Sequence, residues 1–300
     1  MNSDYYVVIM AGGVGVRFWP VSKSDRPKQF IDILGTGNSL IQQTFERFSK
    51  FCPAENIYVV TNLAYRDLVA EQLPQLKSDQ ILCEPYRKNT APCIAYANYN
   101  IRKRNPAATV VVAPSDHVVL KEAVFLAALR EAAAAAARNP WLVTLGIKPS
   151  YPNTGYGYIQ FDDRAADAAH PQLKKVKLFT EKPEYEMARS FVESGEFLWN
   201  AGIFIWSLPA VMAAFKTYLP EIDELFAAYA DLLDTPREAE GVEKVYVSCR
   251  SISIDYGVME KADNVYVVAG DFGWSDVGSW NSLYELLPKN AEGNAVVGAE

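Results

Sequence analysis

Only two histidines, His117 and His170, occur in the 300 residues, so histidine-based metal catalysis has little material to work with. The four cysteines, Cys52, Cys83, Cys93 and Cys249, show neither CxxC spacing nor a nearby histidine pattern. That argues against a zinc site and a disulfide framework and leaves reduced, mostly buried thiols. Any metal is then expected to be a hard cation held by oxygens. No apolar run is long enough to cross a bilayer, and no charged leader with a cleavage site precedes the first apolar run. No Ser/Gly-rich linker divides the chain. These absences predict a soluble, cytoplasmic protein with one domain of two subregions. Basic residues are in deficit as well. A net charge of -7 disfavours non-specific attraction to nucleic acid while leaving room for a local basic pocket. Neither nucleic acid nor a membrane is an expected partner.

What is present is concentrated first in one loop. The apolar run Tyr5 to Met10 opens into Ala11-Gly12-Gly13-Val14-Gly15-Val16-Arg17-Phe18-Trp19-Pro20 and leads to Arg26-Pro27-Lys28-Gln29-Phe30. Glycines let backbone N–H groups approach an anion without side-chain clash, and Arg17 and Lys28 can neutralise its oxygens. A nucleotide is therefore the first ligand to consider. A dinucleotide fingerprint would need glycine or alanine where the chain has Phe18, and a helix at once, which Pro20 and Pro27 oppose. A P-loop would need Gly-Lys-Ser/Thr, and no such triplet follows. The loop is a phosphate-binding loop of a third kind, running to about residue 39.

The first half alternates β-branched runs with amphipathic stretches. Strands are predicted near Tyr5 to Met10, Ile57 to Thr61, Gln80 to Cys83, Thr109 to Ala113 and Leu142 to Leu145. Helices are predicted over Leu40 to Lys50, Ala64 to Leu73, Ala91 to Arg104 and Ala123 to Arg138, the last containing six consecutive alanines. The pattern implies an α/β fold, Rossmann-like, with a mixed, mainly parallel sheet and helices on both faces. After Pro149 the sequence turns to strands interleaved with helices such as Glu184 to Ser194, which should complete the sheet and wall off a second pocket.

The glycine segment, AGGVGVRFWPVSKSDRPKQF, resembles the signature of the sugar-nucleotide pyrophosphorylases, and its Arg-Pro-Lys-Gln-Phe ending resembles their mannose-1-phosphate guanylyltransferase branch. The similarity continues at Glu84 to Pro92, Pro114-Ser115-Asp116-His117, Phe179-Thr180-Glu181-Lys182-Pro183, Trp199-Asn200-Ala201-Gly202 and Trp274 to Trp280. Six segments in family order cover nearly the whole chain. The resemblance implies a nucleotidyltransferase domain of the glycosyltransferase-A-like type over 1–288, with a nucleotide-binding subregion at 1–149 and a sugar-binding one at 150–288. Gly293 to Gly298 resembles the start of a further small domain, so 289–300 is taken as the beginning of a C-terminal extension that is absent or truncated. A homodimer is expected by analogy.

The implied reaction joins GTP and mannose 1-phosphate into GDP-mannose and pyrophosphate. A sugar-phosphate oxygen attacks the α-phosphorus in line, which needs positioning and charge neutralisation rather than a covalent nucleophile. The resemblance assigns catalysis to Arg17 and Lys28, and nucleotide binding to Ala11, Gly12, Gly13, Gly15, Glu84, Asn89, Thr90 and Ser115 as well. It assigns the sugar phosphate to Gly157, Glu181, Lys182, Asn200 and Asp255, and a Mg²⁺ cofactor to Asp116 and Asp276. Two distant carboxylates, with phosphate oxygens and water in the remaining positions, suit octahedral Mg²⁺. The choice of GTP rests on the resemblance, and another sugar 1-phosphate or base remains the nearest alternative. From other classes, a non-catalytic sugar-nucleotide sensor would be expected to lose a metal carboxylate or the loop lysine. A glycosyltransferase would leave the Arg17 and Lys28 loop unexplained. Asp162-Asp163 is taken as a solvated loop, and His117 as a histidine bonded within its own loop. Of Phe18, Trp19, Trp199, Trp206, Trp274 and Trp280, four or five are taken as packing residues, with Trp19 as the stacking candidate.

Overall fold

The five apolar runs of the first half become strands, and the amphipathic stretches between them helices, in a computed structural model that describes residues 2–167 and 170–297. The strands are β1 (Tyr5–Met10), β2 (Ile57–Asn62), β3 (Ile81–Glu84), β4 (Thr109–Pro114), β5 (Val118–Val119), β6 (Leu142–Ile147), β7 (Tyr158–Asp167), β8 (His170–Thr180), β9 (Phe197–Ser207), β10 (Val265–Ala269) and β11 (Trp274–Ser275). The helices are α1 (Leu40–Phe48), α2 (Arg66–Gln72), α3 (Thr90–Arg104), α4 (Glu122–Arg138), α5 (Tyr185–Ser194), α6 (Leu208–Tyr218), α7 (Pro220–Ala228), α8 (Glu238–Ser248) and α9 (Trp280–Leu286). Local chemistry sets several starts. Ser39 and Gln42 form a capping box on α1, the Ser207 hydroxyl accepts from Ala210 N on α6, and proline opens α7.

Nine strands form one sheet in the order β3-β2-β1-β4-β9-β6-β10-β8-β7. β9 and β8 run against the other seven, so the sheet is mixed and mainly parallel. Alternation along β1 explains the layering. Tyr6 and Val8 face a core with α3, α6, α7 and α8, whereas Val7 and Ile9 face a second core with α1, α2 and α4. Both faces are covered, so the central strands are apolar on both sides.

The two subregions interleave within this sheet. β9 lies between β4 and β6 and pairs with both, Phe204 opposite Val112 on one side and Thr144 on the other. The start of β9 also pairs with β7, Trp199 opposite Tyr158, and Asn200 stands opposite Gly146 on β6. The loops after β1, β3 and β4 and the start of β9 thus meet at one edge of the sheet, at the carboxyl ends of the parallel strands. Asp162-Asp163 departs from the expectation of a loop and lies within β7. β7 and β8 form a long antiparallel arm rich in polar residues, including Lys174, Lys175 and Lys177 on β8, a composition that local polarity does not distinguish from a loop.

Candidate functional site

The loop between β1 and α1 is held from below. Gly15 has φ +53, and a side-chain carbon there would stand 2.6 Å from Lys28 N, so this position requires glycine. Gln29 is buried, and its Nε2 donates to the carbonyls of Ala11 at 3.1 Å and Gly13 at 2.9 Å. Tying those carbonyls back leaves the exposed side of the loop to backbone donors. Gln29 is a site residue to which sequence reasoning gave no role. A primary amide in an otherwise apolar and basic run was the available signal.

Lys28 is 1% exposed. Its Nζ lies 2.9 Å from Asp116 Oδ2 and donates to the carbonyls of Asp276 at 2.7 Å and Val277 at 3.0 Å. Three partners match the three hydrogens of an ammonium. The lysine therefore joins the loop after β1 to the loop after β4 and to the turn after β11. Burial, the largest single effect, would raise the Asp116 carboxyl, but the charge and hydrogen bond of Lys28 together with His117 and Arg17 hold the group below its ordinary value. Arg17 is the accessible cation of the loop, 62% exposed at its side chain, with Nη1 3.9 Å from Asp276 Oδ2.

Asp276 is oriented by groups far away in sequence. Its Oδ1 accepts from Tyr156 OH at 2.7 Å and Gly278 N at 3.0 Å. Tyr156 packs edge-on against Trp199 and Trp274. Burial, then the Asp276 carboxylate, pushes its phenol above the ordinary value. His117 Nδ1 accepts from the Trp274 indole at 3.2 Å, so its partner lies on β11 rather than in its own loop. That pairing follows from the small antiparallel ribbon of β5 and β11, which no local signal announces. Burial lowers the His117 pKa and favours the neutral ring.

A cavity of about 340 Å³ opens beside the loop, lined by Gly12, Gly13, Gln29, Glu84, Arg87, Lys88, Asn89, Thr90, Ser115 and Asp116 among others. It gathers most of the nucleotide-side residues named above. Glu84 is buried in its wall, with Oε1 accepting from Tyr246 OH at 2.9 Å. Burial pushes its carboxyl up to about 7, against the opposing effects of Tyr246 and Arg87. Tyr246, 162 residues away on α8, had no signal in the local sequence. Asn89, at φ +67, caps α3 through Oδ1 to Thr90 N at 2.9 Å. The Thr90 hydroxyl accepts from Ile254 N at 2.8 Å.

The residues expected to meet the sugar phosphate lie near the start of β9. Asn200 N donates to the Gly157 carbonyl at 2.8 Å, and Asn200 Nδ2 donates to Asp255 Oδ1 at 3.0 Å. Gly202 N donates to Asn200 Oδ1 at 3.1 Å, which fixes the amide's orientation. Glu181 Oε1 pairs with Lys182 Nζ at 2.7 Å, and the Glu181 side chain is 9% exposed while that of Lys182 is 56% exposed. Burial, then the neighbouring Glu181 charge, pushes the Asp255 carboxyl upwards. Burial would lower Lys182, but the hydrogen bond and charge of Glu181 hold it above its ordinary value. Lys182 N donates to the Tyr156 carbonyl at 3.2 Å, so Tyr156 joins this wall to Asp276.

Of the aromatics named above, Phe18, Trp199 and Trp206 are buried, Trp274 is half-buried against Tyr156, and Trp19 and Trp280 are exposed, with Trp280 Nε1 donating to the Trp19 carbonyl. All four cysteines are free. Among the described residues no helix is long and apolar enough to cross a membrane, and no three His, Cys, Asp or Glu side chains form a metal cluster.

A family model described as a nucleotidyl transferase matches residues 6–293. A mannose-1-phosphate guanylyltransferase of Escherichia coli is 39% identical over 294 residues, which cover 97% of this chain and 62% of that protein. The xanthan biosynthesis protein XanB of Xanthomonas campestris pv. campestris (strain B100) is 39% identical over 303 residues, with 98% and 62% covered. The chain thus spans less than two thirds of the length of these curated relatives. Among solved structures, one described as a mannose-1-phosphate geranyltransferase from Thermus thermophilus superposes with a TM-score of 0.84 at 31% identity, covering 96% of this chain and 80% of that one.

Proposed function

We propose, because this chain belongs to the nucleotidyl transferase family, that it transfers GMP from GTP to α-D-mannose 1-phosphate, giving GDP-mannose and pyrophosphate. The observation that carries the proposal is the meeting of one cavity and a separate cluster of polar side chains at one sheet edge. A glycine-loop cavity with a buried carboxyl in its wall lies on one side, and an acid, amide and ammonium wall on the other. Lys28, Asp116, Tyr156 and Asp276 stand between them.

Base choice follows from Glu84. Its carboxylate offers acceptors only, which suit the N1–H and exocyclic amine of guanine and oppose the N1 acceptor of adenine. The loop N–H groups and Arg17 meet the triphosphate, and Lys182 holds the phosphate of the incoming sugar. With both held, an oxygen of the sugar phosphate forms a bond to the α-phosphorus. The bond from that phosphorus to the bridging α–β oxygen breaks, and pyrophosphate carries the electron pair away. Lys28 acts from beneath by fixing Asp116 and the Asp276 turn rather than by spending its hydrogens on a phosphate.

Lys28 meets the Asp116 carboxylate and the Asp276 backbone carbonyl, while the Asp276 carboxylate is oriented by Tyr156 and Gly278; the two side chains offer hard oxygen donors, with no cluster of three metal-binding side chains among the described residues. This set fits a Mg²⁺ that draws its other ligands from phosphate oxygens and water. When bound, Mg²⁺ would supply neutralisation of the developing phosphate charge. The free thiols fit a reducing compartment, and we place the reaction in the cytoplasm.

Pyrophosphate release with Mg²⁺ tests the reading across GTP, ATP, UTP and dTTP against mannose, glucose, fucose and N-acetylglucosamine 1-phosphates. A signal confined to GTP with mannose 1-phosphate is expected. A different productive pair would overturn the specificity, and silence across the grid would overturn the reaction.

A further inference from the structure

The nucleotide cavity and the sugar wall are stitched together at a second place, remote from Lys28. The segment leading into Asp255 runs beside the start of α3. Ile252 N donates to the Lys88 carbonyl at 3.2 Å, and Ala91 N donates to the Ile252 carbonyl at 3.1 Å. Those two links are backbone to backbone. The third is made by a side chain, the Thr90 hydroxyl accepting from Ile254 N at 2.8 Å. Asp255 follows immediately and begins a single π-helical turn, Asp255–Met259, in which Glu260 N donates to the Asp255 carbonyl at 3.0 Å. π turns are rare and often mark functional positions, and this one brings a half-buried carboxyl to Asn200.

Thr90 also lines the nucleotide cavity. Its oxygen is engaged with Ile254 N as an acceptor, so its own hydrogen is available to a donor bond elsewhere. One hydroxyl therefore belongs to the wall of the nucleotide cavity and to the anchor of the sugar-side carboxylate. We infer that Thr90 is a positioning residue for the sugar 1-phosphate: it sets Asp255, and through Asp255 the Asn200 amide, from within the nucleotide cavity. The inference rests on the assignment of Asp255 to the sugar side made above.

The test compares Thr90→Val, which keeps the shape and removes the hydroxyl, with Thr90→Ser, which keeps the hydroxyl. Steady-state rates are measured with Mg²⁺ in two series, mannose 1-phosphate varied at saturating GTP and GTP varied at saturating mannose 1-phosphate. Thr90→Val is expected to raise the KM for mannose 1-phosphate about fivefold, the worth of one lost hydrogen bond, with kcat within about twofold. Thr90→Ser should return to within about twofold of wild type. In a cycle with Asp255→Asn, the two losses should combine to less than their product, because each disturbs the same contact. An effect confined to the KM for GTP, or fully multiplicative losses, would overturn the inference. Amide hydrogen exchange over 252–259 supplies a readout independent of turnover, faster in Thr90→Val and unchanged in Thr90→Ser. A wild type inactive on this substrate pair would strike the proposed reaction, while unchanged exchange in Thr90→Val would strike the role of Thr90.

Discussion

Replacing Glu84 by glutamine should change both the pH dependence of stability and the choice of base. The carboxyl is buried, hydrogen-bonded by Tyr246 and pushed up from an ordinary value near 4.5 to about 7. Between those two values the folded chain keeps a proton that the unfolded chain has released. Stability contributed by this group is therefore greatest at low pH and falls as pH rises through the window, the reverse of a salt-bridged carboxylate. The loss accumulates to about 3 kcal/mol by pH 8. Glutamine does not titrate. From pH 5 to pH 8, wild type should lose on the order of 8 °C in melting temperature more than Glu84→Gln does. Asp255 titrates upward for a similar reason but is present in both proteins, so it cancels in the difference. Guanine N–H donors would favour the ionised form, so GTP should bind more tightly as pH rises through about 7 and release protons as it binds. Calorimetry in two buffers of different ionisation enthalpy measures that release. Parallel melting curves across the pH range, together with proton-neutral GTP binding, would refute the assignment of a buried, titrating carboxyl to base recognition.

Lys28→Met removes a buried ammonium from one carboxylate and two carbonyls, and should cost about 4 kcal/mol of stability along with at least about a hundredfold in turnover. A melting temperature within about 2 °C of wild type would show that the bridge is not structural. In Gly157→Ala the new carbon would stand 2.5 Å from Glu181 Oε2 and 3.3 Å from Asn200 Cβ. The KM for mannose 1-phosphate should rise about tenfold with the KM for GTP unchanged, and equal shifts in both would count against a sugar-side role for Gly157.

Residue pattern carried the first half of the fold well. β1, β2, β4 and β6 begin at the positions that the apolar runs mark, and α1, α3 and α4 begin within one residue of their predicted starts. These elements are decided locally, by capping, propensity and alternation. β9 was not legible in the same way. Its placement between β4 and β6, against the direction of both, depends on partners some 50 to 100 residues away in sequence, and nothing within Phe197 to Ser207 specifies them. The site divides along the same line. The glycine loop and the aspartate after β4 were visible as motifs. The Lys28 bridge to the Asp276 turn, Tyr246 beneath Glu84 and Tyr156 on Asp276 are long-range contacts that only folding assembles. Lys28 shows the limit most clearly. Its place in the loop marks it as a site cation, but its three protein partners, Asp116, Asp276 and Val277, lie on distant segments that only the fold brings to it.

The place of β9 also bears on how the chain can be divided. A fragment ending at residue 149 would contain β4 and β6 but not the strand between them, and each would present a bare apolar edge to solvent. Such a piece should aggregate on its own and recover only when the remainder is supplied in trans. The chain on either side of residue 149 should therefore behave as one cooperative unit, and neither part should be exchangeable between relatives as a cassette without bringing β9 along.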